Sequence, residues 1–456
     1  YRFSAIALLV LPLVFTSCSD YLDRDDDDNI TEADVFARYE KVNGLVSDVY
    51  AAAKKADRPL VFFEHFSNSA ITDECEGTNV EGNITNNFNN GAWNPNSLPG
   101  SVGQYWEALY EGIRKANLII ENVQKYNTPD NPQQDGDLRN RIGEMYFMRG
   151  YFHMLLLRMY GEAPYIDRVI NAGDNMDFKK ESVHSMVEKI VTDAQTAYGM
   201  VPNKYVKTSE NFGRVDKGAC LGLISFVRWV AATPLWNGAS QYGYNLRRVF
   251  ENEYAYDATR WRKAKEAAKA VLDFEVGGTK RYSLYTKHDA NDFKDPADGN
   301  LNDSRVYARL WDMFYDMDAF ANEYVFFMTK SKDQAWQGDI YPPSREGSSR
   351  QQPVQEQVDE YEYIVGDYGY PVYSAEARKG GYDDTNPYVK GTRDPRFYRD
   401  VIYHGAPYRN NKNESKTINT ASGSDKIGAT NATTTGYYLR KFQQESWNKS
   451  GNFSIN

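Results

Sequence analysis

The sequence predicts a mainly α-helical fold, with tetratricopeptide-like helix pairs stacked in a superhelix and then an irregular, loop-rich half with few short strands. Three observations point there. Stretches with apolar residues at helical spacing follow one another to about residue 275. Some open with Trp/Leu/Tyr patterns, as in "YWEALYEGI" and "WRKAKEAAKAVL". Beyond them the periodicity gives way to segments rich in Asn, Gly, Pro and Tyr.

The chain begins with "AIALLVLPLVF", an apolar run interrupted by Pro12 and too short to cross about 30 Å of hydrocarbon as a helix. It fits the core of a secretory signal peptide, residues 1–17. Small residues then precede Cys18 in "FTSC", a pattern similar to a bacterial lipobox in which Phe15 replaces the usual Leu. That pattern implies a lipidated Cys18 as the first mature residue, and more than one acyl chain gives stable anchoring without a span. The competing reading is an ordinary secreted protein whose cysteine is coincidental. Residues 18–30 continue as "CSDYLDRDDDDNI", a charge run that self-repels and reads as a solvated tether. Tyr1 stands where a start methionine would, so a few initial residues are expected to be missing.

From residue 31 a single domain is expected, helical over 31–275 and loop-rich over 276–456. Thr31 caps a helix whose Val35, Tyr39, Val42, Val46 and Val49 share a face. The next helix, 101–126, aligns Trp106, Leu109, Tyr110, Ile113 and Ile120. "DLRNRIGEMYFMRGYFHMLLLRMYG" is apolar nearly all round and therefore central, with Gly143 and Gly150 allowing close helix approach and Gly161 stopping the helix before Pro164. Further helices read at about 178–198, 217–232 and 258–273. In the second half "NEYVFFMTK" is the one convincing strand. Trp106, Trp229 and Trp261 fall on helical apolar faces and read as core.

The formal net charge is -10 over 456 residues, which argues against a nucleic-acid partner. Cysteines at 18, 75 and 220 provide no disulfide framework; Cys220 reads as a small buried hydrophobe, and whether it meets Cys75 stays open. The 35 tyrosines have two readings: helix-interface filling with polar tips reaching out, or stacking platforms in loops.

No enzyme is indicated. His-Glu-x-x-His, Gly-x-Ser-x-Gly, a phosphate-binding glycine loop and Cys-x-x-Cys are all missing. The histidines lack ligand spacing, and His153 reads as a satisfied core residue. A glycosidase would need two facing carboxylates, which spacing along a chain does not exclude. Asp295, Asp298, Asn300 and Asn302 in "DPADGNLND" form a calcium candidate without EF-hand spacing, against the simpler reading of an Asx-rich turn. No other cofactor is expected.

Taken in order, "YLD" after Cys18, "TEADVF", "YWEALYEGIRKANLIIENV", "GEMYFMRGYFHMLLLRMYGEAPYI", "NEYVFF", "NPYVKGTRDPRFYRDVIYHG" and "TGYYLRKF" resemble the SusD/RagB outer-membrane lipoproteins across nearly the whole chain. The resemblance implies a non-catalytic, lipid-anchored protein on the outer face of the outer membrane, the acidic run acting as an export signal. It implies capture of a glycan and delivery to a SusC-type TonB-dependent transporter. Alternatives are peptide or glycopeptide binding, as in RagB, or a protein-binding scaffold. The family's further helix after "GYYLRKF" is missing before Asn456, so a carboxy-terminal truncation is expected, leaving part of the stack uncapped.

A glycan site needs an aromatic plane beside amides, carboxylates or Arg. "TDECEGTNVEGNITNNFNNGAWNPNSLPG" supplies Trp93 with Asp73, Asn79 and Asn83, and resembles the family's first ligand-contacting region. Trp93 as a plug of the helix bundle is the competing reading. "SKDQAWQGDIYPPSREGSSR" is the second candidate, with Trp336 and Tyr341 stacking and Arg345 donating.

Overall fold

A computed structural model describes residues 30–57, 62–63, 66–77, 84–92, 94, 96, 100–126, 132–205, 211–238, 250–285, 313–314, 322–327, 338–389, 391–409 and 415–443. Its first part is a stack of helices: α1 (Glu32–Phe36), α2 (Tyr39–Asp57), α3 (Ile84–Asn89), α4 (Gly100–Tyr126), α5 (Pro132–Tyr160), α6 (Val183–Met200), α7 (Lys217–Ala232) and α8 (Ala258–Asp273). From α4 to α8 each helix packs on the next, and α2 lies against α4 and α5. This is the sequential stacking the helical periodicity predicts.

Local chemistry sets the ends. Thr31 forms a capping box with Asp34, its hydroxyl accepting from Asp34 N at 3.2 Å while Thr31 N donates to Asp34 Oδ2 at 3.0 Å. The single helix expected from Thr31 is two, broken at Ala37 and Arg38, and Phe36 and Val42 both reach the core. Asp216 and Asp257 cap α7 and α8 through the backbone N–H groups of Ala219 and Thr259. Gly161, at φ 70°, ends α5 in a left-handed turn.

Helix α5 is central, as its all-round apolarity requires. Gly143 is a point of tight approach: a Cβ there would sit 2.6 Å from Met200 Cβ. Gly150 has ordinary spacing, with Asp193 Cβ at 3.5 Å. The closest helix contact falls at Gly112 in α4, whose Cβ would lie 2.4 Å from the Phe152 ring.

Several buried polar groups inside the stack are paired. Buried Glu144 accepts from Tyr205 Oη at 2.7 Å, Tyr50 Oη at 3.0 Å and Arg214 Nη1 at 2.8 Å, and pairs with Arg141. Arg149 grips Asp193 through Nε at 2.8 Å and also donates to Asn117 Oδ1 at 2.9 Å. His153 is the satisfied core residue its place on α5 predicts: Ile166 N donates to Nε2 at 3.0 Å, so the ring proton sits on Nδ1, 2.8 Å from Arg149 O. Burial pushes its pKa down to about 3. Cys75 and Cys220 are both free and buried, which closes the question of their pairing.

The second part is built from short hairpins and turns. Among the described residues it includes the helices α9 (Gln355–Asp359), α10 (Ala375–Lys379) and α11 (Pro395–Asp400). The strands, numbered through the whole chain, are β1 (Phe62–Phe63), β2 (Phe66–Ser67), β3 (Cys75–Glu76), β4 (Glu275–Val276), β5 (Thr279–Lys280), β6 (Gln352–Pro353), β7 (Tyr363–Val365), β8 (Tyr368–Tyr370), β9 (Val401–Ile402), β10 (Pro407–Arg409), β11 (Ser415–Thr417) and β12 (Tyr438–Leu439). All pair antiparallel, and two pairs join distant segments: β3 with β6, and β9 with β12.

The expected strand at "NEYVFFMTK" does not form in its described part, 322–327. Its apolar side chains turn to the helices instead: Phe326 packs on Phe147 at 4.9 Å and on Tyr151 at 5.5 Å. Val325 occupies the space a Cβ on Gly222 would need. Burial against the stack outweighs the tendency of β-branched and aromatic residues to join a sheet.

The stretches "NPYVKGTRDPRFYRDVIYHG" and "TGYYLRKF" meet through β9 and β12, where Tyr438 pairs with Ile402. Arg393, buried, donates to Tyr361 O at 2.9 Å and Val358 O at 2.6 Å; Asp394 caps α11, with Pro395 in its first turn. Tyr398, Tyr437 and Tyr438 are buried with bonded hydroxyls, Tyr438 Oη donating to Asp425 O at 2.8 Å. These residues do fill the interior, but their hydroxyls bond to protein groups instead of reaching out as expected.

Candidate functional site

The site grows from the pairing of β3 with β6. Asp73 is exposed on the turn 72–74, between a 3-10 turn (Asn68–Ile71) and β3. The turn is fixed locally: Thr72 N and its hydroxyl both bond Ser69 O, at 3.1 and 2.8 Å. Strand β3 then pairs with β6 in the register Cys75 opposite Pro353 and Glu76 opposite Gln352. Val354 N extends the seam by donating to Glu74 O at 3.2 Å, and Gln352 N donates to Cys75 Sγ at 3.1 Å. Strand β6 follows the second loop segment singled out in the sequence, 331–350, so the pairing ties the first of these segments to the chain just beyond the second. Burial pushes the Cys75 thiol up to about 12, so it stays protonated and packs as a structural group.

Of the residues singled out for binding, Asp73 stands exposed at the rim. Asn79, Asn83, Trp93 and Trp336 lie outside the described residues, as do Cys18 and the calcium candidates Asp295, Asp298, Asn300 and Asn302.

Tyr341 and Arg345 correct the expectation. They are 1% and 4% exposed, and neither offers a face to a ligand. The Arg345 guanidinium lies between two rings, 4.8 Å from the centre of Tyr341 and 4.9 Å from that of Tyr408. A short turn (Pro343–Arg345) followed by left-handed Glu346, φ 61°, directs the chain inward. Gly347 completes the turn, since a Cβ there would lie 1.8 Å from Tyr341 O. Proline, serine and glycine mark this segment as a loop, but they do not tell which of its side chains face inward. The pair packs inside the loop-rich part with Tyr408.

The rim chemistry is carboxylate, amide and hydroxyl. Asp73 and Glu74 are exposed, and α3 adds exposed Asn87 and Asn89 next to exposed Asn90. Asn89 Nδ2 ties α3 to the 3-10 turn by donating to Ala70 O at 2.9 Å. Such groups suit hydrogen bonding to a hydroxyl-rich ligand. Among the described residues no group of three or more His, Cys, Asp or Glu side chains is placed to hold a metal ion.

Two cavities lie elsewhere. An apolar groove of about 610 Å³ runs between α5, α7, α8 and the segment 322–327, lined by Phe147, Leu223, Phe226, Trp229, Leu272 and Phe326. Here the reading of the tryptophans as core needs a second correction. Trp106 does pack inside, against Tyr110 and Tyr160, but Trp229 and Trp261 are 51% and 43% exposed. Helical spacing identifies an apolar face without saying that another element covers it. The second cavity, about 200 Å³, is lined by His184, Glu188, Arg228, Arg260 and Lys263. Its charges pair with each other: Arg228 and Lys263 both bind Glu188, and the bonds from Arg228 hold that carboxyl down at about 2.

Comparison with known proteins gives two family matches. A family model described as "Starch-binding associating with outer membrane" matches residues 20–227, and one described as "SusD family" matches residues 311–454. The SusD-like protein P2 of Formosa agariphila is 24% identical over 202 residues, which span 43% of this chain and only 38% of that protein. Among solved structures, a SusD-like protein from Bacteroides fragilis aligns over 94% of this chain and 71% of its own, with a TM-score of 0.62 and 18% identity. A SusD-like carbohydrate binding protein from the same species aligns over 91% and 69%, with a TM-score of 0.63 and 14% identity. At such identities the structural likeness establishes the fold.

Proposed function

The chain belongs to the SusD/RagB family, and from that premise we propose that it is a non-catalytic, cell-surface glycan-binding lipoprotein that passes its ligand to a SusC-type TonB-dependent transporter. The observation that carries the binding half of this reading is the β3–β6 pairing. It ties the Asp73 turn to the chain just beyond the second loop segment, and the exposed carboxylates of Asp73 and Glu74 stand near α3, which Asn89 ties to the preceding 3-10 turn, while the family description supplies the ligand class.

The placement half rests on the start of the chain. Cys18 behind an apolar run would carry the lipids, and the aspartates behind it would extend the tether and direct the protein to the outer face. No described helix is long and apolar enough to cross a membrane.

Affinity electrophoresis through native gels containing a panel of polysaccharides tests the binding. Retardation by at least one of them, with no sugar released from it by pure protein, is the expected result. Migration unaffected by every polysaccharide, together with calorimetric binding of peptides, would replace this reading with a peptide-binding one.

A further inference from the structure

We propose that the turn from Ala429 to Gly436 is a third wall of the binding seam, with Asn431 and Thr434 as ligand-contacting residues; the inference rests on the glycan-binding reading above. Its basis is Gln352, whose side chain is 0% exposed and joins three separate segments. The Gln352 backbone pairs with Glu76 in β3. Its Nε2 donates to Ser349 O at 2.9 Å and to Ala432 O at 3.4 Å. Its Oε1 accepts from Thr434 N at 2.7 Å, Thr434 Oγ1 at 2.9 Å and Thr433 Oγ1 at 3.3 Å.

These contacts use both amide donors and fill the carbonyl oxygen, so the buried group is saturated. A saturated buried network fixes the relative positions of its members. The turn is also braced from within, since Thr433 Oγ1 accepts from Thr435 N at 3.1 Å and Gly436 N at 3.0 Å. The turn is therefore held against the same strand pair that carries the Asp73 turn.

Thr430, Asn431 and Thr434 are exposed on it. Asn431 has φ 59°, a left-handed conformation that Asn adopts more readily than most residues. Its amide both donates and accepts, the Thr430 hydroxyl does the same, the Thr434 hydroxyl, whose proton goes to Gln352 Oε1, accepts, and Asp73 and Glu74 accept only. Together they form a complementary set for a ligand covered in hydroxyl groups. The stretch "GATNATTTG" has no aromatic and no periodicity, so nothing in it points to binding until Gln352, 82 residues away, places it.

The test compares wild type with Asn431→Gly, Thr434→Val and the double variant, in native gels containing the polysaccharide that retards wild type most. Glycine keeps the left-handed backbone while deleting the amide; valine deletes the Thr434 hydroxyl together with its bond to Gln352 Oε1 and leaves Thr434's N–H bond to Gln352 in place, so the unfolding midpoint of each variant is measured alongside. Lys379→Ala on α10 is the control.

Dissociation constants should rise about threefold for Asn431→Gly and about tenfold or more for the double variant, as expected for one and two lost hydrogen bonds. The unfolding midpoint of Asn431→Gly should match wild type, and the control should bind as wild type does. Wild-type affinity in both Asn431→Gly and the double variant, alongside weakened binding by Asp73→Ala, overturns the third wall and leaves the glycan reading standing. No retardation of wild type by any polysaccharide overturns both.

Discussion

His153 shows how one buried group couples the fold to pH. Its ring accepts from Ile166 N, stacks on Tyr165 with centroids 3.7 Å apart, and has its pKa pushed down to about 3, while burial lowers that of His184 to about 4. The unfolded chain would bind these protons near pH 6.5, the folded chain only at lower pH. Their contribution is therefore fully present above about pH 6.5 and is lost as pH falls toward the folded values. Urea titrations should show unfolding free energy dropping between pH 6.5 and 5 by up to about 1.4 kcal/mol per pH unit for each group, and His153→Phe should remove its share of that slope. An unchanged slope in the variant would contradict the assignment. The sequence shows this histidine in the apolar stretch "YFHMLLL" of a central helix, which is enough to place it in the core. Its acceptor role is not legible there, because Ile166 belongs to the segment after the helix.

At the scale of elements, the glycines separate sites where a helix needs bare backbone from sites where it does not. A Cβ at Gly112 would meet the Phe152 ring at 2.4 Å, whereas at Gly44, exposed on α2, it would meet nothing within 4 Å. Gly112→Ala should lower stability by about 1–3 kcal/mol through overpacking, and Gly44→Ala should raise it by about 0.5–1 kcal/mol through helix propensity, both read from denaturant midpoints. Helices α4 to α8 were largely legible, because apolar spacing and caps act within one element. Two kinds of feature were not. Strands β3 and β6 have two residues each, and their pairing is decided by contacts between positions about 277 residues apart, which leave no local pattern. Which apolar face is covered also escapes periodicity: Trp229 and Trp261 carry the spacing of core residues and remain exposed, while Tyr341 and Arg345, in a loop, are buried.

In the whole molecule, a helical stack carries a loop-rich part in which distant segments pair. Replacing Cys18 by Ala should move the protein from the membrane fraction to the soluble fraction without changing glycan retardation in native gels. Retention of the variant in membranes would contradict the lipid anchor. The binding claim is the central one. Its most direct test is a calorimetric titration of wild type and Asp73→Ala with an oligosaccharide cut from the polysaccharide that retards wild type. The account predicts saturable one-to-one binding by wild type and a Kd about tenfold or more weaker in Asp73→Ala. Equal affinity in the two proteins, or no saturable heat from wild type, would contradict it.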